Sequence, residues 1–288
     1  MLLILGLGYA GRAVAAAARD AGWEVTGTTR DGTSGTLAFA DAAPAIARAT
    51  HLLITAPPDA AGADPVLAHH RAAIAAATGL RWVGYLSSTV VYGDRGGGWV
   101  DEATPPAPSA PRGLRRLAAE RAWAALAGPV AVDLFRLAGI YGPGRSVLDE
   151  LRAGRVRCVA KPGHAFGRIH RDDIARAVLA ATGSAQPGQV RVFNLADDEP
   201  AESATVLAHA AGLLGLPPPL PVLFAEAEAT MSPMARSFWA ENRKVASRAT
   251  QAALGIGWRY PSYREGLAAI LAEECGEGLA QQGEIRLP

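Results

Sequence analysis

Leu2–Leu5 followed by Gly6-Leu7-Gly8-Tyr9-Ala10-Gly11 constrains this chain more tightly than any other segment. Four consecutive apolar residues suit a strand buried on both faces. Three glycines at G-x-G-x-x-G spacing then lead into an alanine-rich run, the context in which this weak pattern becomes informative. Gly6 permits a tight turn, Gly8 lets backbone approach a pyrophosphate, and Gly11 allows a helix to pack closely on the strand. The N–H groups of the first helical turn, among them those of Tyr9 and Ala10, and the positive end of the helix favour an anion there. The motif therefore predicts a dinucleotide site, NAD(P). A structural glycine turn without cofactor is the alternative.

The order of elements supports that context. Ala10–Ala21 is a strong helix former stopped by Gly22. Strands are predicted at Glu24–Thr29, His51–Thr55, Arg81–Ser87 and Val130–Leu137, with helices at Pro65–Ala77 and Leu114–Ala127 between them. Such alternation predicts an α/β fold, a Rossmann-type doubly wound parallel sheet. Further along, a helix over Asp172–Thr182, a strand over Val190–Leu195 and helices over Ala204–Leu214 and Arg264–Glu274 are expected. Pro217-Pro218-Pro219-Leu220-Pro221 reads as a rigid loop. With no linker or repeat in view, residues 1–200 are read as the nucleotide-binding domain. Residues 201–288 are read as a small C-terminal substrate cap packed on it, not an independent domain.

Composition excludes several classes. The 288 residues are 50% apolar and 19% charged with a net charge of +1, so nothing points to nucleic acid or an acidic membrane surface as partner. Cys158 and Cys275 are too few for a disulfide framework and read as reduced thiols of a cytoplasmic protein. The apolar N-terminus lacks the preceding positive stretch of a secretory signal, and glycines and Arg12 interrupt it. His69-His70 are adjacent on a predicted helix and face different directions, so no metal site is expected.

Thr28-Thr29-Arg30-Asp31 closes the second strand, with Arg30 19 positions after Gly11. A carboxylate at Thr29 would repel a ribose 2′-phosphate. Arg30 can instead pair with that phosphate and Thr29 can donate a hydrogen bond to it. NADP(H) is expected over NAD, with Asp31 keeping NAD open. Thr55, Ala56 and Pro57, at the end of the third strand, are expected to line the cofactor cleft.

From Ser87-Ser88-Thr89-Val90-Val91-Tyr92-Gly93 onward the chain resembles the extended short-chain dehydrogenase/reductase superfamily, the NAD-dependent epimerases, dehydratases and reductases acting largely on nucleotide sugars. The likeness continues at Arg136-Leu137-Ala138-Gly139-Ile140-Tyr141-Gly142-Pro143-Gly144-Arg145, Arg168–Asp173 and Phe193–Asp197, and returns at Gly257–Tyr260 and Tyr263–Gly266. The resemblance implies hydride transfer between nicotinamide and a substrate carbinol. A tyrosine would serve as acid/base, a lysine four residues later would hold the ribose, and a serine or threonine would orient the reacting oxygen. Ser88 matches that serine, with Ser87 beside the cofactor and Thr89 beside the substrate. Counting back from Ala119-Glu120 at the family spacing, however, the tyrosine and lysine positions hold Arg112 and Arg116. Arginine keeps its proton near neutral pH and makes a poor acid or base. The chain therefore resembles the atypical members, with Arg116 left to hold the cofactor ribose or to face solvent. Phe166 also stands where the family often has a phosphate-binding arginine.

Tyr92 and Tyr141 are the remaining candidates for a proton donor, each also readable as a wall residue. His170 reads as structural, and the acids after it, Asp172 and Asp173, as caps of the next helix. Arg112 and Arg145 are candidates for contact with an anionic substrate. The expected activity is that of an NAD(P)-binding oxidoreductase or epimerase-like enzyme acting on a small molecule, a sugar nucleotide or carbonyl compound. A non-catalytic NAD(P)-binding redox sensor is the alternative. By analogy with relatives that pair through the predicted helix Leu114–Ala127, a homodimer is expected.

Overall fold

The computed structural model describes residues 1–283. Seven parallel strands form one sheet: β1 (Leu2–Leu5), β2 (Val25–Thr29), β3 (Leu37–Ala38), β4 (His51–Ile54), β5 (Trp82–Ser88), β6 (Ala131–Leu137) and β7 (Val190–Leu195), in the order β7-β6-β5-β4-β1-β2-β3. The order reverses at β1, with β2 on one side and β4 on the other. In an open parallel sheet the crevice at such a switch point, beyond the carboxyl ends of the strands, is where a ligand sits.

Alternation of side chains explains the two layers. Leu2 and Ile4 face one side, against α1 (Tyr9–Asp20), and Leu3 and Leu5 face the other. On the first side α1 meets a helix over Arg171–Gly183 through small residues, Ala15 and Ala18 against Ala177 and Ala181, which lets the two backbones approach closely. The second side is closed by α2 (Ala43–Arg48), α3 (Pro65–Ala76) and α4 (Pro111–Ala124), with Ile46, Ile74 and Trp123 buried against Leu52, Val83 and Val132. Each such aliphatic or aromatic side chain contributes about 1.5–3 kcal/mol by leaving water.

Strands and the longer helices lie within a few residues of their predicted places. The helix expected at Leu114–Ala127 begins three residues earlier because Pro111 occupies its first turn, where a missing N–H costs nothing. The closing helix runs from Tyr263 to Gly283, beyond the expected Arg264–Glu274. Asp172 and Asp173 do not cap the helix that follows them. The His170 ring accepts the Asp172 N–H at 3.3 Å, and Asp173 receives the N–H groups of Arg259 and Tyr260 at 2.7 and 2.9 Å.

C-terminal helices form a cap over one end of the sheet. Its core is built from Ala201, Val206 and Ala210, from Tyr263, Leu267 and Ile270, and also from Tyr141 and Leu148 far earlier in the chain. A parallel pair, Gly139–Tyr141 with Arg168–His170, carries the chain from the sheet into this layer. Among the described residues no helix is long and apolar enough to cross a membrane.

Candidate functional site

The glycine turn lies at the carboxyl end of β1, at the switch point. Gly6 has φ +103°, and a Cβ there would stand 2.8 Å from Thr55 Oγ1 and 3.2 Å from the Ala56 nitrogen. The Thr55 hydroxyl donates to the Gly6 carbonyl, tying the ends of β1 and β4. A Cβ on Gly11 would lie 3.0 Å from the Gly6 carbonyl oxygen and 3.3 Å from Ile4. Gly8 differs: a Cβ there meets no atom of the described residues within 4 Å. The space over it is open, and it belongs to a cleft of about 860 Å3. Helix α1 starts beside it with no side-chain cap and no acid in its first turn. The first helical bond runs from Arg12 N–H to the Gly8 carbonyl, which leaves the preceding N–H groups without helical partners. Uncapped donors beside an open space suit a diphosphate.

Gly8, Tyr9, Ala10, Gly11 and Thr55 line one side of the cleft. Ala56 and Pro57 do not, and Ala56 packs against the core beneath β4. Arg30 stands exposed past β2, next to β1 in the sheet, while the Thr29 hydroxyl bonds that of Thr36 at 2.7 Å.

At the end of β5 the structure separates residues adjacent in sequence. Ser88 faces the cleft, its oxygen accepting the Val90 N–H at 3.4 Å and its own proton free to donate. Thr89 also lines the cleft. Ser87 lines the cleft as well, but its hydroxyl turns inward and donates to Glu120 at 2.6 Å. Glu120 receives Arg136 through two bonds of 3.1 and 2.8 Å, with both residues buried. Arg136 lies 4.8 Å from the centre of the Tyr92 ring, and the Tyr92 hydroxyl donates to Asn194 at 2.7 Å. Tyr92 is thus fully enclosed beneath the cleft, and burial pushes its phenol up. Tyr141 does line the cleft, but its hydroxyl donates to the Ser262 carbonyl at 3.3 Å, and burial holds its phenol far above the usual range.

The two arginines at the vacant catalytic positions both line the cleft. Arg116 donates to the Tyr85 hydroxyl at 2.8 Å and to the Leu86 carbonyl at 3.0 Å, which fixes it at the end of β5. Arg112 rests 5.2 Å from the centre of the Phe238 ring. Arg145 also lines the cleft and lies over the Tyr9 ring at 5.4 Å, with Arg171 at the same distance. The Tyr9 hydroxyl donates to the Pro143 carbonyl at 2.9 Å, so the glycine turn and the Gly142–Arg145 loop are fastened together.

Sequence reasoning missed Glu120, Arg136 and Asn194 as a buried network, and Arg168, Phe238 and Arg243 as cleft residues. One signal for the network was available: Asp133 and Arg136 are charges inside the otherwise apolar run Ala131–Leu137, where an unpaired charge would be prohibitive. Asp133 is satisfied by Trp82 at 2.6 Å and by two bonds from Arg191 at 2.7 Å.

Asp197, beside Arg168, is 1% exposed, and among the described residues neither carboxylate oxygen has a hydrogen-bond partner. Burial pushes its pKa up to about 8, against the pull of Arg168. A carboxyl raised from 3.8 toward 8 favours the folded state while protonated, and that stability is lost as pH rises between those values. Asp197→Asn is accordingly expected to match the parent protein at pH 4 and to exceed it by about 1–3 kcal/mol at pH 9. Urea unfolding at both pH values checks this, and equal slopes of stability against pH would refute it.

A parallel sheet reversing at β1, with a glycine turn and an uncapped helix N-terminus at the reversal, defines a Rossmann-type dinucleotide-binding fold. The chain belongs to the extended short-chain dehydrogenase/reductase superfamily, the NAD-dependent epimerase/dehydratase group. Escherichia coli K12 protein YeeZ is 31% identical over 249 residues, covering 75% of this chain and 84% of YeeZ. A conserved protein of unknown function from Silicibacter pomeroyi is 43% identical, with a TM-score of 0.83 over 94% of this chain and 98% of that one. The human epimerase family protein SDR39U1, solved with NADPH, shares the fold at 18% identity, with a TM-score of 0.77 over 94% of this chain and 99% of its own. MoeE5, solved with UDP-glucuronic acid and NAD, does so at 21% identity, with a TM-score of 0.72 over 96% and 99% of the two chains. No protein-family model matches the chain.

Proposed function

We propose that the chain is an NADP(H)-dependent oxidoreductase acting on a small molecule. The observation that carries this reading is the open space over Gly8, bounded by the uncapped start of α1 on one side and by Ser88 and Arg116 on the other. The glycine turn would hold the pyrophosphate, Arg116 the nicotinamide ribose, and Arg145, braced on Tyr9, would add positive charge beside the diphosphate. When bound, the cofactor would supply or accept a hydride. Ser88 would orient the reacting oxygen and donate a hydrogen bond to it. Relatives of this fold have been solved with NADPH and with NAD, and Arg30 at the end of β2 supports the phosphorylated form.

Calorimetric titration with NADPH and NADH tests the reading. NADPH is expected to bind at least tenfold more tightly, and Arg30→Ala to erase the difference, since a charge-assisted arginine–phosphate contact contributes about 1.5–3 kcal/mol. Absence of binding by either dinucleotide would defeat it. A second reading, a dinucleotide-binding sensor without turnover, is favoured by one observation. The two tyrosines lining the cleft, Tyr9 and Tyr141, both direct their hydroxyls to backbone carbonyls. Turnover that disappears in Ser88→Ala separates the enzyme from the sensor.

A further inference from the structure

The cleft carries positive charge that its own acids do not balance. Three carboxylates line it, against six arginines (Arg112, Arg116, Arg145, Arg155, Arg168 and Arg243): Asp149 is engaged with the Ser146 N–H and hydroxyl at 2.7 and 2.8 Å, Glu241 with Arg243 at 2.7 Å, and Glu150 is the third. Arg112 forms no ion pair or hydrogen bond among the described residues. Burial and the adjacent cations of Arg116 and Arg115 all press against its charged form. On the far wall Arg168 donates to the Phe166 and Ala201 carbonyls at 2.9 and 3.2 Å. Burial pushes the pKa of its neighbouring acid, Asp197, well above the usual carboxylate range. Arg112 is exposed on the cleft with cations for neighbours, a setting that favours an anion supplied from outside.

Two phenyl rings add flat apolar surface to the cleft. The Phe166 ring is held by His164 at 4.8 Å and, edge to face, by Trp239 at 4.9 Å. Phe238 is exposed on the cleft with Arg112 behind its ring. A nucleoside diphosphate can stack only its base on phenyl walls, its phosphates staying hydrated. A carboxylate carried on a planar body matches both features, because guanidinium receives carboxylate through two parallel bonds and rings stack on planar surfaces.

We propose that the second ligand of this cleft is a flat, apolar carboxylic acid, its carboxylate received by Arg112 and its body lying against Phe166 and Phe238. The proposal deepens the oxidoreductase reading and rests on it for the place of the cofactor. Arg168 supplies the second positive charge of the subsite.

The test is calorimetric titration with acid and amide pairs, cinnamate against cinnamamide and benzoate against benzamide, with UDP-glucose and inorganic phosphate alongside. It uses the full chain both saturated with NADPH and free of it. Titration of NADPH alone comes first and reports only on the cofactor reading. The acid/amide comparison on cofactor-free protein judges the subsite whatever that result. At least one acid is expected to bind about tenfold more tightly than its amide, the difference one charge-assisted contact makes. Arg112→Gln should erase that preference while leaving NADPH affinity unchanged, and Arg112→Lys should retain part of it. Equal binding of acid and amide in every pair, a preference surviving in Arg112→Gln, or UDP-glucose or phosphate outcompeting every acid would each overturn the proposal.

Discussion

Valine at position 8 is expected to weaken NADPH binding by about 100-fold, close to 2.8 kcal/mol, with the fold left intact. Gly8 has φ −82°, a value that any residue adopts, and a Cβ there would meet no atom of the described residues within 4 Å. It would project into the volume assigned to the diphosphate. The stability change should stay within about 1 kcal/mol, the loss of a good helix-capping residue. Gly11→Val makes the control, because its Cβ would press on the Gly6 carbonyl and Ile4, costing both stability and binding. Calorimetry and thermal unfolding on the two variants give the comparison. Undiminished affinity in Gly8→Val would remove the diphosphate from this turn.

A second large effect is expected from Glu120→Ala. The Glu120–Arg136 pair is 2% and 4% exposed, so removing the carboxylate leaves a guanidinium without compensation in the interior. Loss of one partner of such a pair costs about 3–5 kcal/mol, readable as a lower urea midpoint. Glu120→Leu combined with Arg136→Met, which removes both charges, should recover most of that loss. If the single and double variants prove equally unstable, the damage comes from packing and not from the stranded charge.

The sheet was legible because its strands are short apolar runs bounded by glycine, proline and helix-forming stretches. Val190–Leu195 is found where it was expected, and Leu2–Leu5 is buried along its whole length. Elements such as Leu37–Ala38 and Ala43–Arg48 are too short to carry a period and left no trace in the pattern. At the site, glycine spacing located the turn, since backbone geometry there depends on residue type alone. The direction of side chains was not legible. Ser87 and Ser88 are neighbours that both line the cleft, yet the Ser87 hydroxyl is tied into a buried network and that of Ser88 is free to donate. Tyr92 and Tyr141 looked equivalent in sequence, each before a glycine at a strand end. Only long-range partners, Asn194 and Ser262, show where their hydroxyls go. The cap residues Phe238 and Arg243 carry no motif and reach the cleft only through tertiary packing.

The interlacing of the cap with the sheet has a consequence for how such a molecule can be cut or recombined. Tyr141 and Leu148 from the middle of the chain share one core with Val206, Tyr263 and Leu267, and Asp173 grips the backbone at Arg259 and Tyr260. A truncation near residue 200 would strip the cover from the first group and leave that carboxylate without its donors. New ligand preferences in this architecture would therefore have to arise by exchanging side chains in place, not by swapping one terminal module for another.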